Sequence, residues 1–153
     1  MSQRIQHIIE DITEQYLEND GNIPWIIGFS GGKDSTVVLT LVWRALLAIR
    51  ATLGNESLKR PVFVVNNDTL VENPIISDYI IEVLDCIKTA AVKEDVPITV
   101  QITTPKLEDS FWISFLGKGY PVPNNQFRWC TDRLKVKPTS QFILDKIDAM
   151  GEA

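Results

Sequence analysis

At 153 residues and 44% hydrophobic content, the chain has enough apolar material for one domain, residues 1–153, with a real core. Its net charge of −5 argues against a protein that coats polyanions along its whole surface, and leaves room for a local basic patch. The two cysteines, Cys86 and Cys130, make no disulfide framework, so a reducing cytoplasm is the expected compartment. No signal pattern opens the chain and no apolar run reaches spanning length, so no membrane partner is expected.

Ile5, Ile8, Ile9, Ile12, Tyr16 and Leu17 recur at helical spacing, opposite Glu10, Asp11, Glu14 and Glu18. This predicts an amphipathic helix ending near Asn19-Asp20-Gly21. His7, the only histidine, lies on it and reads as a surface or packing residue. Pro24 then opens a short apolar strand, Trp25-Ile26-Ile27-Gly28, followed by Phe29-Ser30-Gly31-Gly32-Lys33-Asp34-Ser35 and a helix from about Asp34 to Arg50.

A strand, a glycine-rich turn and a helix start place unpaired N–H groups and the positive end of a helix dipole at one spot. Gly31 and Gly32 let the backbone approach a ligand, Ser30 and Ser35 add hydroxyls, and Lys33 adds charge. Those features suit a phosphate chain. Asp34 would repel one unless a cation intervened, so it is read as a ligand of Mg²⁺ bridging to phosphate oxygens. The P-loop pattern does not fit: Gly28 stands one residue too close to Gly32-Lys33, and Asp34 replaces the hydroxyl. The dinucleotide fingerprint lacks its third glycine. The plain alternative is a tight turn with no ligand.

Ala51 to Arg60 reads as a polar connection, and Pro61-Val62-Phe63-Val64-Val65 as a strand buried on both faces. The polar cluster Asn66-Asn67-Asp68-Thr69 at its carboxyl end is either a nucleoside contact or a solvated turn. Asn73-Pro74 caps a helix carrying the stripe Ile76, Tyr79, Ile80, Val83, Leu84 and Ile87 to about Lys93, with Cys86 beside it as a packing residue. Ile98, Val100 and Ile102 alternate with polar residues in a third strand, placed nearer the sheet edge. Leu107 to Leu116 reads as a short helix capped around Asp109-Ser110 and stopped by Gly117.

Residues 117–137 carry five basic side chains and one acidic one, with Phe127 and Trp129 among them. Arg and Lys there suit phosphates while an aromatic ring offers a stacking face. The alternative is a basic segment paired with acidic helices. Pro138 to Met150 predicts a last amphipathic helix. Strands alternating with helices in this order predict an α/β fold with a doubly wound parallel sheet.

The run Ser30-Gly31-Gly32-Lys33-Asp34-Ser35 resembles the pyrophosphate loop of the N-type ATP pyrophosphatases and the phosphoadenylyl-sulfate reductases. Three further runs narrow the resemblance: Asn67 to Pro74, Phe111 to Pro121, and Phe127-Arg128-Trp129-Cys130-Thr131-Asp132-Arg133-Leu134-Lys135. Together, over nearly all of residues 25–143, they resemble the DndC family of DNA sulfur-modification (phosphorothioation) proteins, which are phosphoadenylyl-sulfate reductase-like. The resemblance implies an adenine nucleotide alpha hydrolase-like sheet, of which this chain holds the N-terminal part. It further implies ATP and Mg²⁺ as cofactors, DNA as substrate, and sulfur-donating and other DNA-modification proteins as partners.

Carried over by position, Ser30 to Ser35 form the pyrophosphate loop, with Lys33 and Asp34 catalytic, and Asp68 and Thr69 lie beside the nucleoside. Arg128, Arg133, Lys135 and Lys137 face triphosphate or nucleic-acid phosphate. Cys130 falls where relatives begin an iron–sulfur motif, but Trp129 replaces half of their cysteine pair. A cluster held by four thiolates needs cysteines from outside this chain. The resemblance also places a later strand beside the first, so the first strand is expected to have an edge that is exposed or satisfied by another molecule.

Three functions are open at this point. The first is an ATP pyrophosphatase-type enzyme that adenylates a DNA backbone phosphate ahead of sulfur transfer. The second is a phosphoadenylyl-sulfate reductase-like enzyme, and the third a non-catalytic nucleotide-binding module of a DNA-modification complex.

Overall fold

The computed structural model describes residues 3–18 and 23–150. It is an α/β fold with a three-stranded parallel sheet in the order β1-β2-β3: Trp25–Gly28, Val62–Asn67 and Ile98–Thr103. Helix α1 spans Gln3–Leu17, α2 Lys33–Leu53 and α3 Pro74–Lys93. The expected end of α1 at Asn19-Asp20-Gly21 lies outside the described residues. The chain divides into two compact units, Met1–Val64 with Ile80–Gln101, and Val65–Tyr79 with Ile102–Ala153.

In the first unit the strand starts are tied by Trp25 N–H to Pro61 O (2.9 Å) and Val62 N–H to Pro97 O (2.8 Å). One apolar cluster joins Ile27, Val62, Val64 and Ile98 of the strands to Leu39, Leu46 and Ile49 of α2 and Leu84 and Ala91 of α3. Both helices therefore cover the same sheet face, as two right-handed crossovers between sequential strands require. Phe63 and Val65, which alternate with those strand residues, are also buried, so β2 is covered on both faces as its unbroken apolar run predicts. β3 lies at one edge of the sheet, in keeping with its alternation, and β1 lies at the other.

Helix α2 is, by length and composition, apolar enough to cross a membrane, which the sequence reading had not allowed for. Its buried face of Leu39, Val42, Ala45, Leu46 and Ile49 makes it a core helix of this unit. Cys86 is exposed on α3 rather than packed, because the helix turns Leu84, not its neighbour two residues on, toward the core. His7 sits on the open face of α1, with Asp11 Oδ1 at 3.8 Å.

Arg60, at the end of a segment expected to be solvated, is only 4% exposed. Its guanidinium lies over the rings of Tyr16 (5.8 Å) and Trp25 (5.5 Å) and donates to Glu18 O at the end of α1. Tyr16 Oη donates back to Arg60 O at 2.6 Å. Burial pushes the Tyr16 phenol up to about 12, against the smaller lowering effects of that hydrogen bond and the Arg60 charge, so the hydroxyl stays a donor.

The second unit is built on an aromatic cluster. Trp129 stacks on Phe111 (5.4 Å between centroids, 21°) and meets Tyr120 edge-on, while Phe111 stacks on Phe115. The expected helix over 107–116 is split, since Ser110 is extended (φ −60°, ψ 155°) between the 3₁₀ turn Leu107–Asp109 and a π-turn over Ile113–Gly117. From Trp129 the chain is helical throughout: α4 (Trp129–Thr131), a π-turn Asp132–Val136, and α5 (Lys137–Met150). The wide turn directly precedes Pro138, which supplies no N–H and crowds the carbonyl of a regular turn before it. Asn67 Oδ1 accepts from Thr103 Oγ1 (2.6 Å) and Thr139 Oγ1 (2.8 Å), tying the ends of β2 and β3 to α5.

Candidate phosphate-binding loop

The loop at the carboxyl end of β1 has the geometry its residues demand. Gly31 has φ 73°, a left-handed conformation that costs an L-residue about 1–2 kcal/mol. Gly32 caps α2 with an extended backbone (φ −80°, ψ 168°), and its carbonyl accepts from Thr36 N–H at 3.0 Å. Ser35 Oγ and Thr36 Oγ1 also donate to Gly32 O, at 3.0 and 2.9 Å. The turn is thus held from its carbonyl side.

The donor side is different. Ser30 N–H reaches Ser35 Oγ at 3.3 Å and Gly32 N–H reaches Ser30 Oγ at 3.4 Å, both long. Among the described residues, the N–H groups of Gly31, Lys33, Asp34 and Ser35 have no protein acceptor. They are the orphan donors of a helix start, with its dipole behind them. Lys33 and Asp34 are exposed and make no hydrogen bond or ion pair among the described residues. The loop brings together two hydroxyls, four available amides, one ammonium and one carboxylate, which is a donor set for an anion accompanied by a cation.

Gly31→Ala is expected to weaken phosphate-ligand binding and lower stability by about 1–2 kcal/mol, because a Cβ is strained at that φ. Titration calorimetry and a thermal melt check both.

The other predicted site residues belong to the second unit. Asp68 Oδ1 accepts from Leu70 N–H at 2.9 Å, bracing a turn in which Leu70 has φ 60°. Thr69 is 3% exposed and its hydroxyl donates to Glu72 Oε1 at 3.0 Å. Both side chains hold the turn itself, and Asn67 of the same polar cluster is the hub beside them. Arg128 and Lys135 are exposed; Arg128 Nε donates only to Asn125 O at 3.3 Å, and Lys135 has no partner among the described residues. These two remain available to an anion.

Arg133 and Lys137 do not. Arg133 bonds Asp109 and Tyr120 Oη, and Lys137 Nζ lies 3.3 Å from Asp109 Oδ2. Trp129, read as a stacking face, is instead 7% exposed, with Nε1 donating to Pro121 O at 2.9 Å. Of the two interleaved aromatics only Phe127 is exposed.

Burial favours a raised Asp109 pKa. The hydrogen bond from Lys137 and the charges of Lys137, Arg133 and Lys118 outweigh it and hold the carboxyl below its ordinary value. A carboxyl depressed in the folded state stabilises above its unfolded pKa, near 3.9, and that stabilisation is lost as pH falls through the folded pKa. Unfolding midpoints measured through this acid range should therefore fall more steeply for the parent chain than for Asp109→Asn.

Cys130 is half-buried and Cys86 exposed, and each is a free thiol. Among the described residues no three of His, Cys, Asp and Glu form a metal-holding group. Two cysteines do not fit a four-thiolate cluster. Mg²⁺ is different, since it is commonly held by one or two carboxylates plus substrate phosphates and water, and the unpaired Asp34 carboxylate fits that role. In comparisons with known proteins, no protein-family model and no curated protein matches this chain.

Proposed function

We propose that the chain is the ATP-binding portion of an ATP pyrophosphatase-type, DNA phosphorothioation enzyme of the DndC kind. It would work in the cytoplasm on the N-terminal part of a doubly wound sheet. The observation that carries this reading is the set of unengaged amides at Gly31, Lys33, Asp34 and Ser35 on a left-handed glycine turn. The resemblance of residues 30–35 to a pyrophosphate loop supplies the ligand.

In this reading an oxygen of a DNA backbone phosphate attacks the α-phosphorus of ATP. The new P–O bond forms as the bond to the β-phosphate bridging oxygen breaks, giving an adenylated phosphate and pyrophosphate. The loop amides and Lys33 stabilise charge on the departing pyrophosphate through donors already fixed by the helix start. Asp34 with phosphate oxygens would hold Mg²⁺, which supplies further charge neutralisation there. In the second unit Arg128 and Lys135 are exposed cations, and the resemblance assigns them to phosphate. The adenylated phosphate is then open to displacement by sulfur from a partner protein.

The test is product identity. With α-labelled ATP, Mg²⁺ and DNA, pyrophosphate should be released and the label should appear on the DNA, or in AMP where water or sulfur has displaced it. Release of ADP and orthophosphate would overturn the reading. Tighter binding of phosphoadenosine phosphate than of ATP with Mg²⁺ would favour a reductase instead.

A further inference from the structure

Around the turn Leu107–Asp109 the second unit gathers more positive charge than it neutralises. Arg133 and Lys137 both bond the Asp109 carboxylate, and Lys118 Nζ donates to Glu108 O. Lys106 closes the same turn through its carbonyl, which accepts from Asp109 N–H at 2.9 Å, and its side chain is exposed. Four cations thus meet two carboxylates, and only Asp109 takes up any of them among the described residues. Residues 106–137 as a whole hold six basic and three acidic residues in a chain of net charge −5.

Beside this turn stands Trp112, 57% exposed, its ring set edge-on against the half-buried Phe111 (5.2 Å, 89°). Phe127, 45% exposed, adjoins Arg128. Trp112 is braced by Phe111 and still more than half exposed, which suits a stacking platform. Duplex DNA offers phosphates but hides its base faces, whereas a single strand offers both.

We propose that Lys106 and Lys118 with Trp112 form a binding surface for single-stranded nucleic acid, the lysines meeting phosphates and the indole stacking on a base. Asp109 acts there as an internal counter-ion that a phosphate must compete with for Arg133 and Lys137. This deepens the DNA reading above and rests on it only for the identity of the polymer.

The probe is a fluorescently labelled oligothymidylate of roughly 16 nucleotides, enough for one such site, followed by anisotropy without ATP or Mg²⁺. Affinity should fall with salt between about 50 and 200 mM, and Lys106→Ala and Lys118→Ala should each flatten the log–log slope by roughly 0.7. Trp112→Ala should weaken binding about fivefold or more at fixed salt. Asp109→Asn should tighten it; if that variant unfolds, the lysine and tryptophan variants, altered only at exposed side chains, decide alone.

No binding at low salt, equal affinity for a duplex, or slopes unchanged by the lysine variants would overturn the proposal. Binding to phosphatidylserine vesicles in place of the oligonucleotide would do the same. Because no nucleotide is added, a negative result leaves the phosphate-loop reading intact, and failure of the ATP assay leaves this surface intact.

Discussion

Asp34→Ala is expected to reduce release of AMP and pyrophosphate from ATP by roughly a hundredfold or more, the scale on which losing one preorganised charge-stabilising group acts. The fold should barely register the change. Asp34 is exposed in the first turn of α2 and bonds no other side chain, so its contribution to stability is the carboxylate–dipole interaction of about 0.3–1 kcal/mol. Asp34→Asn keeps an oxygen but loses the charge and should fall between the two. The diagnostic readout is the Mg²⁺ dependence of ATP binding, measured by calorimetry. In the parent chain Mg²⁺ should tighten binding, and in Asp34→Ala it should not. If the two proteins respond to Mg²⁺ alike, Asp34 is not its ligand.

Trp129→Ala should have the largest effect on stability, a loss of about 3–5 kcal/mol against a total typically of 5–15. Its indole is 7% exposed, stacked on Phe111 and edge-on to Tyr120, and its N–H satisfies Pro121 O. Truncation removes the stack and leaves the Pro121 carbonyl without its donor. Trp129→Phe retains most of the ring but not the hydrogen bond, and should cost about 1 kcal/mol for that bond plus a share of lost packing. Urea unfolding followed by far-ultraviolet circular dichroism separates the three proteins. A midpoint for Trp129→Ala equal to the parent's would mean the aromatic cluster is not the second unit's core.

Trp129 also shows where sequence reasoning stops. An aromatic ring between Arg128 and Arg133 has the same local pattern whether it faces a ligand or a core. What decides is Phe111, distant in sequence, and no periodicity links the two. The elements themselves were legible wherever one local signal dominated: the apolar run at Val62–Val65, the alternation in Ile98–Thr103, and the Asn73-Pro74 cap, where Asn73 Oδ1 accepts from Ile75 N–H at 3.0 Å. The glycine turn was legible too, since paired glycines between a strand and a helix mark a tight backbone turn, and Gly31 takes positive φ there.

Arg60 was invisible for the opposite reason. Its burial is made by Tyr16, Trp25 and the end of α1, all remote from the polar stretch that contains it. The π-turns escaped because five residues of a wide turn carry the same apolar spacing as an α-turn. Pairing of the basic segment with acidic residues was one of the two readings open in the sequence, but its partner Asp109 was not legible, because it sits on a turn about two dozen residues earlier.

The strand that delivers the loop is also the outermost ribbon on its side of the sheet, with β2 its one neighbour among the described residues. Every second main-chain donor and acceptor along Trp25–Gly28 therefore has no strand to pair with among the described residues, and such an edge can template an extended peptide that meets it. At high concentration the chain should tend to associate through this flank, and proline introduced at Ile26 on its outward side should suppress that tendency. Because Phe29 and Ser30 lead straight from β1 into the loop, whatever lies along β1 has leverage over how firmly the glycine turn is held.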